Sequence, residues 1–287
     1  MTDGRLLGAR RLRELFETHG IRPHKELGQN FVVDPNTIRK VVDVAGDLSD
    51  KTVLEIGAGA GSLTLGLARE ARGVIAVEFD DRLVPALRES LNGIDNVEIV
   101  AGDAMKLDYA TVDASEVVAN LPYNIAVPLV MTVLENAPQI SSLTVMTQRE
   151  VGERLAATPG SKSYGQVSVL VGYWAEASVA ARISRNAFYP VPTVDSVLVR
   201  IVRRDPPPVD YARLNEVVKT AFGQRRKTLR NTLGPLGSST SEVEGTIRVA
   251  GIDPGARPET VSLDDWVAIT RELVSSVSSA LDSGNSE

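Results

Sequence analysis

Three glycines and two carboxylates have the spacing expected of a nucleoside-binding site. Gly57, Gly59 and Gly61 directly follow an apolar run, where glycine allows positive φ and a close approach of the backbone to a ligand. Glu78 closes the next apolar run and could accept hydrogen bonds from both ribose hydroxyls. Asp103 follows the third run and could accept a hydrogen bond from the exocyclic amine of an adenine. Ribose at the second strand and adenine at the third is the layout of an S-adenosylmethionine site.

A second motif, Asn120-Leu121-Pro122-Tyr123, follows the fourth apolar run and suits an amine acceptor. The exocyclic nitrogen of adenine is a poor nucleophile, because its lone pair is delocalised into the ring. The Asn120 side-chain oxygen and the Leu121 carbonyl could accept its two hydrogens, with Pro122 fixing the chain direction. The ring of Tyr123 could stack on the base. The motif therefore predicts in-line methyl transfer in which positioning is the main catalytic contribution.

Composition excludes several other kinds of chemistry. The 287 residues contain no Cys, which excludes disulfides, thiolate nucleophiles and Cys-based zinc sites. Two His leave little for a metal site, so we expect no metal. No apolar run reaches the roughly 18 residues of a membrane span, and the N-terminus has no signal-peptide core. We expect a cytoplasmic protein without a membrane partner.

The net charge of −6 argues against a nucleic-acid partner only when it is taken for the whole chain. Residues 31–120 carry −8 and residues 236–287 carry −6, whereas residues 201–235 carry +5. Within that basic stretch, Arg225, Arg226, Lys227 and Arg230 place four cations in six residues. A helix predicted over 225–233 would put Arg226 and Arg230 on one face, as a grip for RNA phosphates.

The elements that must position these residues alternate between strands and helices. Five predicted strands, 52–56, 73–78, 97–101, 116–119 and 143–147, are separated by helical segments, which indicates a parallel doubly wound sheet. The runs 167–181 and 194–203 are predicted as a terminal antiparallel hairpin. Asp34 followed by Pro35 predicts the start of a helix that ends near Gly46. After the stiff segment 205–208, helices are predicted over 211–222, 225–233, 242–250 and 263–275.

The predicted organisation has four parts. Residues 1–46 form a helical extension with a cofactor loop, 47–204 an α/β domain, 205–275 a helical RNA-contacting domain and 276–287 a disordered tail.

Six motifs together resemble the ribosomal RNA adenine N6-dimethyltransferases of the KsgA type. They are Lys25-Glu-Leu-Gly28-Gln29-Asn30-Phe31, Leu54-Glu55-Ile56-Gly57-Ala-Gly59-Ala-Gly61, Val77-Glu78-Phe79-Asp80, Gly102-Asp103-Ala104, Asn120-Leu121-Pro122-Tyr123-Asn124 and Phe188-Tyr-Pro190-Val-Pro192. The resemblance implies a Rossmann-like class I S-adenosylmethionine-dependent methyltransferase. It implies N6,N6-dimethyladenosine as product, on two adjacent adenosines near the 3′ end of the small-subunit (16S) rRNA. It also implies the small ribosomal subunit as partner.

The resemblance further implies residue roles. In this family the loop that holds Gln29, Asn30 and the Val32 backbone folds over the cofactor. Asn120 belongs to both the cofactor site and the acceptor site, and Phe188 is expected to stack on the face of the base opposite Tyr123. The cofactor contacts implied are Gln29, Asn30, Val32, Gly57, Gly59, Glu78, Asp103 and Asn120. The family usually has Lys where this chain has Thr193, which removes a possible phosphate contact.

Several alternatives stay open on the sequence. Ser62 disfavours a nicotinamide dinucleotide without excluding it, because that fingerprint needs a small apolar residue there. A large-subunit rRNA methyltransferase of the antibiotic-resistance type has a similar motif set. A DNA adenine methyltransferase is disfavoured by Leu121, which stands where those enzymes have Pro. A non-catalytic assembly factor is disfavoured by the intact Glu78, Asp103 and Asn120. We expect a monomer.

Overall fold

The chain forms two compact units. The structure is a computed structural model that describes residues 6–24, 28–224, 226–237 and 239–284. The first unit comprises Met1–Ala156 and Glu176–Arg203, and the second comprises Ala157–Ala175 and Arg204–Glu287. Residues 157–175, predicted to belong to the α/β domain, are part of the second unit. Residues predicted as a separate extension lie in the core of the first unit, among them Leu12, Phe16 and Val41.

The first unit is built on strands separated by helices. Its strands are β1 (Phe31–Val32), β2 (Thr52–Ile56), β3 (Gly73–Glu78), β4 (Val97–Ala101), β5 (Glu116–Asn120), β6 (Ser142–Gln148), β7 (Ala175–Ile183), β8 (Phe188–Tyr189) and β9 (Ser196–Arg203). Its helices are α1 (Ala9–Thr18), α2 (Pro35–Ala45), α3 (Ser62–Glu70), α4 (Val84–Ser90), α5 (Tyr123–Asn136) and α6 (Arg149–Leu155).

The main sheet has seven strands in the order β4-β3-β2-β5-β6-β9-β7. Strands β2 to β6 are parallel, and β9 runs antiparallel to β6. The chain proceeds outwards from β2 to β4 and then returns to place β5 on the other side of β2. Ligands of such sheets bind outside the carboxyl ends of the strands where the order reverses. The predicted glycine turn and acceptor motif follow β2 and β5, so both lie at that point.

The N-terminal segments follow the predicted pattern. Helix α1 buries Leu12, Leu15 and Phe16 on one face. The side chain of Asp34 accepts hydrogen bonds from the backbone N–H groups of Asn36 and Thr37, which caps α2. Between them, β1 pairs antiparallel with β8 in a separate two-stranded sheet. This small sheet joins the segment after Gly28 to the segment that carries Phe188.

The second unit is helical. Its helices are α7 (Gln166–Trp174), α8 (Tyr211–Phe222), α9 (Leu229–Thr232), α10 (Thr240–Val249) and α11 (Leu263–Gly284). They enclose an apolar core centred on the fully buried Trp266, whose ring lies 5.9 Å from that of Phe222. Within the described residues, no helix is long and apolar enough to cross a membrane.

Three predictions in these regions are wrong. The run 167–181 is not one strand: α7 ends at Trp174 and β7 begins at Ala175. Its valines suit a buried helix as well as a strand, and α7 buries Val169 and Tyr173 in the second core. The helix predicted over 225–233 is reduced to α9, Leu229–Thr232. The predicted disordered tail starts as helix, since the backbone of α11 continues to Gly284.

Candidate active site

The glycine turn after β2 has the backbone conformation that its sequence predicts. Gly57, Gly59 and Gly61 all have positive φ, at 78°, 61° and 92°. The Gly57 N–H donates to the Val77 carbonyl at 2.9 Å, and the Gly59 N–H donates to Glu78 Oε2 at 2.6 Å. A Cβ on Gly59 would lie 2.9 Å from the Phe31 ring. The turn is therefore held against the end of β3 and leaves no room for a side chain at Gly59.

Glu78 is a buried carboxylate at this edge of the sheet. Its Oε1 accepts from the backbone N–H of Asp80 at 2.8 Å, and its Oε2 accepts from Gly59. Burial raises the pKa of Glu78, while the two backbone hydrogen bonds oppose that shift by stabilising the ionised form. Each oxygen keeps a lone pair, so Glu78 can still accept from a ligand in the cavity that it lines.

Asp103 lies on a second neighbouring loop, after β4. Its Oδ1 accepts from the Met105 backbone N–H at 3.0 Å, which caps the short 3-10 turn at 104–106. Its Oδ2 is 3.7 Å from Lys106 Nζ. Asp103 also lines the cavity, so capping the turn leaves part of the carboxylate exposed to a ligand.

The loop that precedes β1 is tied to the end of β3 and to the acceptor motif. The Gln29 Nε2 donates to Asp80 Oδ2 at 2.7 Å, and the Gln29 Oε1 accepts from the His24 backbone N–H at 2.8 Å. Asn30 Nδ2 donates to the Gly28 carbonyl at 3.0 Å. Gly28, with φ of 63°, packs so closely on Pro122 that a Cβ would be 2.8 Å from the proline Cβ.

Asn120 and Leu121 form the wall of the cavity at the end of β5. Asn120 Nδ2 donates to the backbone carbonyl of Asn30 at 2.8 Å. The Leu121 N–H donates to the Met146 carbonyl at 2.9 Å. Among the described residues, no donor is bonded to Asn120 Oδ1 or to the Leu121 carbonyl oxygen. Two acceptors at this wall therefore have no donor among the described residues, and their use by a ligand stays a prediction.

The remaining predicted residues differ in whether they line the cavity. Phe188 is buried, lines the cavity and pairs with Val32 between β8 and β1. Val32 itself is buried in that pair and is not part of the cavity wall. Pro122 lines the cavity, and Tyr123 begins α5, but the Tyr123 side chain lies outside the described part of the structure.

These residues surround one cavity of about 600 Å³. That volume lies within the usual range of small-molecule sites. Further wall residues without a role predicted from the sequence include Phe31, Phe79, Met105 and Pro190. Phe79 is the clearest of them, because the residue is 62% exposed although it directly follows the buried Glu78. An aromatic residue directly after a strand-ending acid is the sequence signal that could have revealed it.

The basic residues predicted to grip RNA belong to the second unit. Arg225 lies outside the described residues. Arg226 and Lys227 precede α9 and are exposed, whereas Arg230 lies within α9. Arg226 and Arg230 therefore do not share a helix face, which corrects the prediction. Arg230 Nη1 is 4.0 Å from Glu244 Oε2, a partly screened ion pair at the surface.

The fold is Rossmann-like, that of the class I S-adenosylmethionine-dependent methyltransferases. A solved dimethyladenosine transferase from Plasmodium falciparum superposes with a TM-score of 0.75 at 22% identity, covering 85% of this chain and 98% of the other. The solved 23S rRNA methyltransferase ErmE superposes with a TM-score of 0.69 at 29% identity, covering 85% of this chain and 100% of the other.

The family follows from sequence similarity. The model of the ribosomal RNA adenine dimethylase family matches residues 20–274. Curated proteins called ribosomal RNA small subunit methyltransferase A are 45% identical over 271 residues in Paenarthrobacter aurescens and 45% over 273 residues in Streptomyces griseus. Each match covers 92% of this chain, and it covers 92% and 94% of those proteins. This chain belongs to the ribosomal RNA adenine dimethylase family.

Proposed function

We propose that this protein transfers methyl groups from S-adenosylmethionine to N6 of two adjacent adenosines near the 3′ end of small-subunit (16S) rRNA, giving N6,N6-dimethyladenosine. The observation that carries the proposal is a pair of acceptors at the end of β5, Asn120 Oδ1 and the Leu121 carbonyl, to which no donor of the described residues is bonded. They lie in the same cavity as Glu78 and Asp103. Family membership and the names of the most similar relatives support the substrate.

The cavity fits the cofactor. Gly57 and Gly59 leave the backbone of the turn accessible, and Glu78 offers lone pairs suited to two ribose hydroxyls. Phe79 and Met105, which closely follow Glu78 and Asp103 in the chain, present exposed apolar surface in the cavity wall, which suits a purine ring. S-adenosylmethionine supplies an electrophilic methyl group when bound. Gln29, Asn30 and the backbone around Val32 would enclose it from the side of the loop.

The chain's own residues then bind the adenine base that receives the methyl group. Asn120 Oδ1 and the Leu121 carbonyl accept the two hydrogens of the adenine amine, which favours a pyramidal nitrogen with an available lone pair. Phe188 offers one aromatic face to the base, and we assign the other to Tyr123. Pro122 holds the Leu121 carbonyl in place through its fixed φ of −56°. No side chain must remove a proton before transfer, so positioning is the main contribution.

The RNA is held outside this cavity by cations. We assign phosphate contacts to Arg225, Arg226, Lys227 and Arg230 in the second unit, because a local basic cluster binds RNA even when the whole chain is acidic. The partner would be the small ribosomal subunit, bound by one copy of this chain in the cytoplasm. The mechanism assigns no role to a metal.

Methylation of ribosomal subunits tests the proposal. Purified protein is incubated with labelled S-adenosylmethionine and unmethylated small subunits or large subunits. One portion of each rRNA is digested to detect dimethyladenosine, and an undigested portion is mapped by primer extension. We expect dimethyladenosine at two adjacent positions of the small-subunit rRNA. Label confined to large-subunit rRNA would instead support a second candidate function, a large-subunit rRNA methyltransferase of the antibiotic-resistance type. The 29% identity to ErmE keeps this candidate open. Cofactor binding without transfer to either subunit would favour a non-catalytic assembly factor.

A further inference from the structure

A second cavity, of about 460 Å³, adjoins the active-site cavity in the first unit. Gln148 and Thr193 belong to the walls of both cavities. The other polar residues of the second wall are Arg149, Glu150, Arg185 and Asp195. A group that leaves the active site past Gln148 and Thr193 therefore enters a space with two arginines.

Asp195 holds the two arginine-bearing segments together. Its backbone carbonyl accepts from the Arg149 N–H at 3.1 Å, at the start of α6. Its carboxylate Oδ1 accepts from the Arg185 N–H at 3.0 Å, in the 3-10 turn at 185–187. Arg149 and Arg185 are 36 positions apart in the sequence, yet one residue fixes the backbone of both. The cavity wall is thus organised by specific hydrogen bonds.

The two guanidinium groups are the part of this wall that can bind an anion, although two carboxylates balance their charge. Within the described part of the chain, no carboxylate lies within 4.0 Å of the Arg185 guanidinium, and the nearest to Arg149 is Glu153 at 3.9 Å. Of the two acidic wall residues, Glu150 pairs with Arg154 at 2.9 Å, and Asp195 accepts the Arg185 backbone N–H through Oδ1. Both arginines are exposed and can donate to phosphate in a bidentate manner.

The same chain segment serves both cavities. Arg185 lies three residues before Phe188, and Thr193 and Asp195 follow it, so the segment 185–195 carries one wall of each. A base held beside Phe188 is covalently linked to phosphodiesters that must remain outside the base site. The shared wall at Thr193 leads from that base site to the two guanidinium groups.

We propose that the second cavity binds a backbone phosphodiester of the RNA strand next to the target adenosine, through Arg149 and Arg185. The inference rests on the proposed function and adds a substrate subsite to it. Binding of this phosphate fixes the strand on one side of the base, which places the adenine amine against Asn120. Asp195 is a positioning residue, because it acts through the two backbones that carry the arginines.

The test uses the full chain with Arg149→Gln, Arg185→Gln and the double substitution. Arg69→Gln is the matched control, because Arg69 is exposed on α3 and lines neither cavity. Unmethylated small subunits are the substrate, and kcat/KM is measured across a series of salt concentrations. S-adenosylmethionine affinity is measured by calorimetry, and melting temperature reports the fold.

We expect kcat/KM of the double variant to fall roughly tenfold or more, because removing hydrogen bonds to a charged group usually has an effect of this size. Its log–log salt slope should be shallower by about 0.7 for each lost single-strand phosphate contact. The cofactor affinity and melting temperature of the double variant should match those of Arg69→Gln. If Arg149 and Arg185 had only a structural role, their loss would change these two quantities. Arg149→Lys with Arg185→Lys should restore part of the loss and most of the salt slope.

Two failures are distinguishable. If the wild type and Arg69→Gln bind cofactor but methylate no subunit, the proposed function is wrong and the subsite falls with it. If both methylate small subunits, and the double variant keeps their kcat/KM and salt slope, the phosphate subsite alone is overturned. A double variant with lowered cofactor affinity or melting temperature would also contradict the subsite, because its effect would then arise elsewhere.

Discussion

The side-chain amide of Asn120 donates a 2.8 Å hydrogen bond to the backbone carbonyl of Asn30, 90 residues earlier in the chain. This contact joins the loop before β1 to the acceptor motif after β5. It also fixes the amide orientation, because Nδ2 is used and Oδ1 is left as an acceptor. A contact between two predicted site residues thus leaves Oδ1, not Nδ2, as the Asn120 atom for the proposed acceptor role.

Replacing Asn120 should therefore reduce the chemical step more than cofactor binding. For Asn120→Ala we expect kcat to fall about 100-fold or more, the size seen when one precisely placed polar group is removed from an active site. Asn120→Asp should be similarly impaired, because a carboxylate cannot donate to the Asn30 carbonyl. Single-turnover methylation of small subunits measures this. Asn92→Ala, at an exposed site on the same unit, is the control, and full activity in Asn120→Ala would refute the acceptor role.

Glu78 should control cofactor affinity and its pH dependence. In Glu78→Gln, one of the backbone donors Gly59 and Asp80 must face an amide NH₂ group, so we expect affinity for S-adenosylmethionine to fall on the order of tenfold. Burial raises the pKa of Glu78, and ribose needs the ionised form as acceptor. Wild-type affinity should therefore decline as the pH falls through that raised pKa.

Calorimetric titrations over a pH series measure this effect. The Glu78→Gln variant should show weaker binding with little of the wild-type pH dependence, because its amide does not titrate. RNA affinity should not change. Wild-type affinity in the variant, or an unchanged pH profile, would show that Glu78 does not contact the ribose.

Local patterns predicted the parts of the fold that depend on neighbouring residues. Gly57 and Gly59 needed positive φ, and Asp34 with Pro35 marked a helix start, because both requirements are set within a few positions. The parallel sheet followed from strands spaced by helices. At 167–174 the local pattern was ambiguous, because valines suit both structures, and burial of Val169 in the second core decided for helix.

The contacts that complete the site are set by tertiary structure. The hydrogen bonds from Gln29 to Asp80 and from Asn120 to Asn30 join residues 51 and 90 positions apart, so no spacing rule could reveal them. The motif resemblance implied that Gln29 contacts the cofactor, and the structure adds that both ends of its amide already have protein partners. The phosphate subsite depends on Asp195 in the same way.

Gly28 should be needed for the loop to seat on the acceptor motif. In Gly28→Ala the new Cβ would meet Pro122 at 2.8 Å, in addition to the strain of a positive φ. Gly20→Ala is a matched control, because Gly20 has φ of 62° and no atom of the described residues lies within 4 Å of the new Cβ. We expect each variant to lose roughly 1 kcal/mol of stability from the left-handed backbone. Only Gly28→Ala should also lose cofactor affinity and kcat.

Chemical denaturation and calorimetry separate the two contributions. The difference between the variants reports the close approach of Gly28 to Pro122, because the backbone strain is common to both. Equal cofactor affinities in Gly28→Ala and Gly20→Ala would show that the loop does not need this contact to enclose the cofactor.

Glu55 should make the protein less stable at alkaline pH. Its side chain is fully buried in β2, and burial, together with the negative charge of Glu78, raises its pKa from 4.5 to about 8. The folded state therefore holds a proton that the unfolded state releases between these two values. Because the native state binds more protons there, the free energy of unfolding falls as the pH rises from 4.5 to about 8.

Glu55→Gln removes this titration while keeping the shape of the side chain. We expect its free energy of unfolding to lack that part of the decline. The stability of the variant relative to the wild type should therefore increase by on the order of a few kcal/mol as the pH is raised from 6 to 9. Urea unfolding at a series of pH values measures the gain. Glu70→Gln, an exposed substitution on α3, should keep the wild-type slope. Parallel curves for wild type and Glu55→Gln would mean that Glu55 is already ionised in the folded protein near neutral pH.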